Sequence, residues 1–177
     1  MCGSGKSTAA DVFLEAGWAY IRFGQVTIDK LNENGEEINP ENEKRMRESL
    51  RQKYGIGAFA RLSISAIEKA WLEKHVIIDG LYSWTEYTTL KDKFGDSLKV
   101  IAIYTSHATR YQRLETREHD ESDTSHRMRK LTAAEAKNRD YSEIENIEKG
   151  GPIAMADYTV SNESSNEELK KQIRNLL

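Results

Sequence analysis

A chain of 177 residues with a formal net charge of −3 and 31% charged side chains is long enough for one domain with a proper core, and no global basic face marks nucleic acid as its main ligand. No apolar run approaches the roughly 18 residues of a membrane span. A lone cysteine, Cys2, rules out an internal disulfide framework and points to the cytoplasm.

The first eight residues, MCGSGKST, carry the body of a phosphate-binding loop. Gly3, Ser4 and Gly5 let backbone N–H groups turn inward around an anion, Lys6 adds a mobile positive charge, and the Ser7 hydroxyl, followed by Thr8, suits Mg²⁺. In the full pattern G-x-x-x-x-G-K-[ST], Met1 to Ser4 fill the four open positions. Gly-Ser-Gly also occurs in linkers, but the next two elements argue for the loop. Residues 9–16 read as a helix stopped by Gly17, and residues 18–23 as a strand. Cys2 reads as a small residue of the loop, with a thiol close to Lys6.

Residues 23–31 carry no strong signal, and Asn34-Gly35 marks a turn. Asn39-Pro40 reads as an N-cap followed by Pro at the first helical position, opening a helix over 40–54 with Met46, Leu50 and Tyr54 on one face. A longer helix over 57–74 comes next, its aromatic residues Phe59 and Trp71 read as core, with stacking on a cofactor as the rival role for Trp71. VIIDG, residues 76–80, and KVIAIY, residues 99–104, are continuous apolar runs, the form of strands buried on both faces of a parallel sheet. Between them Ser83 and Glu86 form a capping box for a helix that Gly95 ends.

Arg110, Arg113 and Arg117 then fall at i, i+3 and i+7, a stripe along one helix face just past a strand's carboxyl end, where open α/β sheets bind ligands. The bland alternative is a solvated face paired with Glu115 and Glu118. Residues 118–127 read as a mobile flap. His119 and His126 in it make a poor metal pair and are read as solvated. Thr132 and Glu135 start a capped helix to about Glu148 that carries Arg139-Asp140. Residues 150–155 read as a loop, ADYTVSN as the last strand with its exit turn, and Asn166 as the cap of a terminal amphipathic helix. Alternating strands and helices predict a three-layer α/β/α domain around a parallel sheet.

These residues suit phosphoryl transfer, which needs cations around the moving group, a placed metal and exclusion of water. Lys6 and the loop N–H groups would take the β- and γ-phosphates of ATP, helped by the dipole of the adjoining helix. Ser7 and Asp79 are the expected Mg²⁺ ligands, although a strand-end Asp also serves as a helix cap.

GSGKST, FGQV, LRQKYG, VIIDG, RYQRLETRE, Arg139-Asp140 and ADYTVSNES together resemble the nucleoside-monophosphate-kinase group of P-loop kinases, its adenylate-kinase-related and dephospho-CoA-kinase-like branch. The resemblance implies an acceptor-binding insert over 24–60 and a lid over 117–131 within a single domain. It places Arg51, Gly24 and Gly80 at the acceptor, Arg113, Arg117 and Arg139 at the phosphates, and Asn162 near the base. It implies also an apolar strand feeding the loop at the centre of the sheet, so that the natural chain is expected to begin roughly 8–10 residues ahead of Met1. Without that strand, two neighbours would hold unpaired backbone groups. Val26 to Ile28, and Tyr82 with Ser83, stand where adenylate kinases carry arginines, which points away from AMP itself. VIIDGLYSW departs from dephospho-CoA kinases as well. The reading is an ATP- and Mg²⁺-dependent cytoplasmic kinase with a small nucleotide-like phosphate acceptor, binding neither nucleic acid nor membrane, its oligomeric state left open. The alternatives are dephospho-CoA kinase and a non-catalytic ATP-binding regulatory module.

Overall fold

The computed structural model describes residues 1–117 and 130–177; the flap expected over 118–127, with His119 and His126, lies outside the described residues. The chain turns at Gly5, whose φ of 95° is left-handed backbone that glycine alone adopts freely. It then enters α1 (Lys6–Glu15), which buries Ala9, Ala10, Val12 and Phe13. Phe13 meets Trp18 edge-on at 4.8 Å between ring centroids, so the chain leaving α1 is pinned as it starts β1 (Ala19–Arg22).

The stretch without a sequence signal is a helix, α2 (Gln25–Glu33). Gly24 gives it no side-chain cap, and only Thr27 and Leu31 are buried, which is why periodicity did not announce it. α3 (Pro40–Tyr54) starts on the expected Asn39 cap, whose Oδ1 accepts from the Asn42 N–H at 2.9 Å. α4 (Ala58–Trp71) buries Phe59 and Ile67, but Trp71, expected in the core, is 47% exposed and meets Phe94 edge-on. β2 (Val76–Asp79) pairs parallel with β1, Ala19 opposite Val76 and Arg22 opposite Asp79.

α5 (Trp84–Phe94) starts on the expected capping box. The Ser83 hydroxyl accepts from the Glu86 N–H at 3.0 Å, and the Glu86 carboxylate accepts from the N–H groups of Tyr82 and Ser83 at 2.8 and 3.1 Å. Glu86 is fully buried and its Oε1 has no hydrogen-bond partner among the described residues. Burial pushes its pKa up to about 7, against the pull of those two N–H groups and of Arg51 and Lys149. The folded chain therefore holds this proton through a window, from 4.5 to about 7, in which the unfolded chain has released it, so Glu86 weakens the fold as pH rises through that window. Glu86→Gln is expected to match the parent at pH 5 and to gain roughly 2 kcal/mol at pH 8. Thermal melts at the two pH values check this; equal melting temperatures at pH 8 would contradict it.

β3 (Ile101–Tyr104) leads to α6 (His107–Glu115), capped by Ser106. α7 (Ala133–Ile147) starts on the expected Thr132–Glu135 box. The expected loop over 150–155 contains instead a short helix, α8 (Gly150–Ala154). β4 (Tyr158–Ser161) pairs parallel with β3, Ile101 opposite Tyr158. The terminal helix α9 (Asn166–Arg174) is capped by Ser165, one residue before the expected Asn166.

The fold is α/β, parallel strands sandwiched between helices. α1 and α9 pack together on one side, while α4 contacts β1 and β2 and packs against α5 on the other. One apolar cluster gathers Phe23, Leu31, Met46, Leu50, Phe59, Ile67 and Leu90, and a second gathers Val12, Phe13, Val160, Leu169 and Ile173. Among the described residues the strands form two ladders, β1–β2 and β3–β4. Between them runs a cavity of about 380 Å³ lined by Val76 to Ile78 of β2, Ile101 to Ile103 of β3, and Ala9, Ala10 and Phe13 of α1. No helix of the described residues is long and apolar enough to cross a membrane.

Candidate nucleotide site

The slot between the ladders is lined mainly by apolar side chains, whereas a second cleft of about 1090 Å³ opens onto the phosphate loop. Gly3, Gly5, Lys6, Ser7 and Thr8 of the loop line it. So do Arg22, Phe23 and Gly24 at the end of β1, Thr27 of α2, and Arg47 and Arg51 of α3. Asp79, Tyr82, Arg113, Arg117, Arg139, Lys149 and Asn162 complete the wall.

The loop is fastened from beneath by groups far away in sequence. Asn162, at the exit of β4, donates from Nδ2 to the Ser4 carbonyl at 2.9 Å. The Thr105 hydroxyl lies within hydrogen-bond reach of the carbonyls of Ser4 and Asn162, at 3.3 and 3.1 Å. Arg110 donates to the Cys2 carbonyl at 3.1 Å and to the Thr105 carbonyl at 3.2 Å, and forms a buried ion pair with Asp140 of α7. A methyl group at Gly5 would stand 2.4 Å from Asn162 Nδ2, so the fastening closes only around a glycine. Lys6 folds back onto its own loop, Nζ donating to the Met1 carbonyl at 2.6 Å. A side chain held by one neutral carbonyl is ready to exchange it for an anion.

Asp79 ends β2, and Oδ2 accepts from the Tyr20 hydroxyl at 2.9 Å. Since α5 takes its cap from Ser83, Asp79 is not a cap for that helix. Ser7 and Asp79 both line the cleft, and their oxygens are of the kind that suits a hard divalent cation. Arg51 lies over the Phe59 ring at 5.2 Å, and its Nε, like the Thr27 hydroxyl, is buried without a hydrogen-bond partner among the described residues.

On α7, Glu143 accepts from Arg139 Nε at 3.0 Å and is ion-paired with Lys149. Burial works against the charge of Glu143, but the two cations outweigh it and hold the carboxyl down at about 2.

Most of the expected site residues thus converge: Gly3, Gly5, Lys6, Ser7, Thr8, Gly24, Arg51, Asp79, Arg113, Arg117, Arg139 and Asn162 all line one cleft. Ser4 is buried beneath the loop, its hydroxyl donating to the Met1 carbonyl. Gly80 faces the apolar slot, with the Tyr82 ring packed so close that a methyl group there would meet it at 2.8 Å. Arg113 donates to the Asn162 and Ser164 carbonyls at 2.9 and 3.0 Å, and the Asn162 amide is turned to the loop. Arg110 of the arginine stripe is inside the protein. Sequence reasoning missed Arg22, Thr27, Arg47 and Lys149. Arg47 stands four residues before Arg51, a spacing that could have revealed it. The other three become visible only when distant elements meet.

A glycine-turned loop at the head of a helix, sharing a cation-lined cleft with a strand-end carboxylate, defines a P-loop nucleotide-binding domain. The family model described as an AAA domain matches residues 1–149. A UPF0200 protein of Thermococcus gammatolerans is 31% identical over 181 residues, spanning 100% of this chain and 90% of the relative. One from Sulfurisphaera tokodaii is 34% identical over 177 residues, spanning 100% and 92%. A UPF0200/UPF0201 protein of Archaeoglobus fulgidus is 33% identical over 176 residues, which is 98% of this chain and 52% of that longer protein. The chain belongs to this UPF0200 family of AAA-domain proteins. These matches support a P-loop kinase-like family without reaching the adenylate-kinase or dephospho-CoA-kinase branch.

Proposed function

We propose that this protein is a cytoplasmic, Mg²⁺-dependent phosphotransferase that moves the γ-phosphoryl group of ATP to a small, nucleotide-like acceptor already carrying a phosphate. The observation behind this reading is that Arg22, Arg47 and Arg51 line the same cleft as the phosphate loop. An ATPase or a nucleotide-sensing module needs only the loop. Guanidiniums beyond those at the loop suit a second anion, since their forks match phosphate oxygens.

In this reading Lys6 leaves the Met1 carbonyl for the β- and γ-phosphates, and the N–H groups of Gly5, Lys6 and Ser7 cradle them. Ser7 and Asp79 would hold Mg²⁺, which would supply positive charge to the triphosphate. Arg51 and its neighbours orient the acceptor so that its oxygen lies in line with the γ-phosphorus as the bond to the β–γ bridging oxygen breaks. Arg139 and Arg117 steady the charge on the moving group. Asn162 and Arg113 act indirectly, by fixing the loop.

The test is to incubate the purified protein with ATP, Mg²⁺ and each of a panel of nucleoside monophosphates and dephospho-CoA, following ADP. ADP release that depends on one acceptor is the expected result and names it. Tight ATP binding with no acceptor-dependent release would replace the kinase with a regulatory module.

A further inference from the structure

Lys149, just past the end of α7, is 4% exposed and belongs to no motif. It lies at the inner wall of the nucleotide cleft, in the company of Lys6, Asp79 and Tyr82. Its ammonium stands 4.9 Å from the centre of the Tyr82 ring and is ion-paired with Glu143. That one carboxylate is shared, because Arg139 holds its other oxygen. The row Arg139–Glu143–Lys149 therefore carries one positive charge more than it neutralises, in the neighbourhood of Lys6. Burying a cation with half a counter-ion is costly, and a polyanion entering the cleft relieves the excess.

We infer that Lys149 is a second phosphate-binding cation of this cleft, which acts with Lys6 to contact the terminal phosphoryl group of a nucleoside triphosphate. The loop amides take the inner phosphates, which leaves the terminal group to the side-chain cations that share the cleft with them. Glu143 is its resting partner, holding the ammonium in line when no anion is there. A purely structural lysine in this place would tie α7 to α8 and nothing more. The inference rests on reading the cleft as a triphosphate site.

The charged and titratable groups around Lys149 are Lys6 from α1, Arg139 and Glu143 from α7, Tyr82 and Glu86 around the start of α5, and the amino group of Met1. Burial, with repulsion from Lys6 and Arg139, pushes Lys149 down to about 8 against the pull of Glu143. Its charge is thus present below that pH and lost above it.

The experiment measures binding of Mg·ATP and Mg·ADP to the parent protein, Lys149→Met and Lys149→Arg, with thermal melts to establish folding. Lys149→Met is expected to weaken ATP roughly 30-fold while ADP changes less than about threefold, and Lys149→Arg to keep most of the preference for ATP. Equal loss of both nucleotides in folded Lys149→Met would overturn the inference in favour of the structural role. If Lys149→Met does not fold, the parent and Lys149→Arg are compared at pH 7 and pH 9.5. The parent's preference for ATP should shrink at the higher pH and that of the arginine variant should persist; parallel behaviour overturns the inference. A parent protein that binds neither nucleotide sinks the triphosphate reading as a whole, an outcome distinct from either of these.

Discussion

Lys6→Ala is expected to lower nucleotide turnover by roughly 10²- to 10³-fold, the usual cost of one preorganised donor at a phosphoryl group, while the melting temperature stays near that of the parent. The asymmetry has its origin in the contacts of Lys6. Among the described residues its ammonium bonds the Met1 carbonyl alone, a bond that water replaces at little cost, so the fold loses almost nothing. The site loses the charge that the loop amides cannot supply. Steady-state turnover with the acceptor identified by the panel, alongside a thermal melt, separates the two. Unchanged turnover would remove the loop from the chemistry and with it the proposed role of Ser7 and Asp79.

The opposite pattern is expected at Asp140, where stability should fall sharply. Arg110 and Asp140 are each only 6% exposed at the side chain, and the Tyr111 hydroxyl also donates to Asp140 Oδ2 at 3.1 Å. Asp140→Ala leaves the Arg110 guanidinium buried without its counter-ion, an error that costs about 3–5 kcal/mol and lowers the melting temperature by roughly 10 °C in a domain of this size. Because the same guanidinium holds the Cys2 carbonyl, nucleotide affinity should fall as well. Replacing both partners by apolar residues of similar volume, Arg110→Met with Asp140→Leu, should recover most of the stability but not the affinity, since the guanidinium that holds the Cys2 carbonyl is gone. Recovery of both would mean that the loop does not depend on Arg110.

Local rules explain what could be read in advance. The Ser83–Glu86 and Thr132–Glu135 boxes, Asn39-Pro40 and the apolar runs VIID and IAIY each declare their structure within a few residues, and each is where it was expected. α2 was silent because two buried side chains and an uncapped start make no pattern. α8 was silent because Gly-Gly-Pro reads as a breaker, although Pro152 stands in the first turn, where its missing N–H has no helical partner to lose. At the site, residue types were legible and duties were not. The arginine stripe suggested one surface, yet Arg110 faces a carboxylate 30 positions on and Arg113 two carbonyls about 50 positions on. Partners that far apart leave no trace in helical spacing, and the same holds for Arg22, Thr27 and Lys149.

The helix that presents the phosphate loop has a second duty. α1 touches β1, β2 and α9 together, so it ties the elements that carry Arg22 and Asp79 to the helix that follows Asn162. A pull on the loop is therefore passed through one rigid rod to both groups.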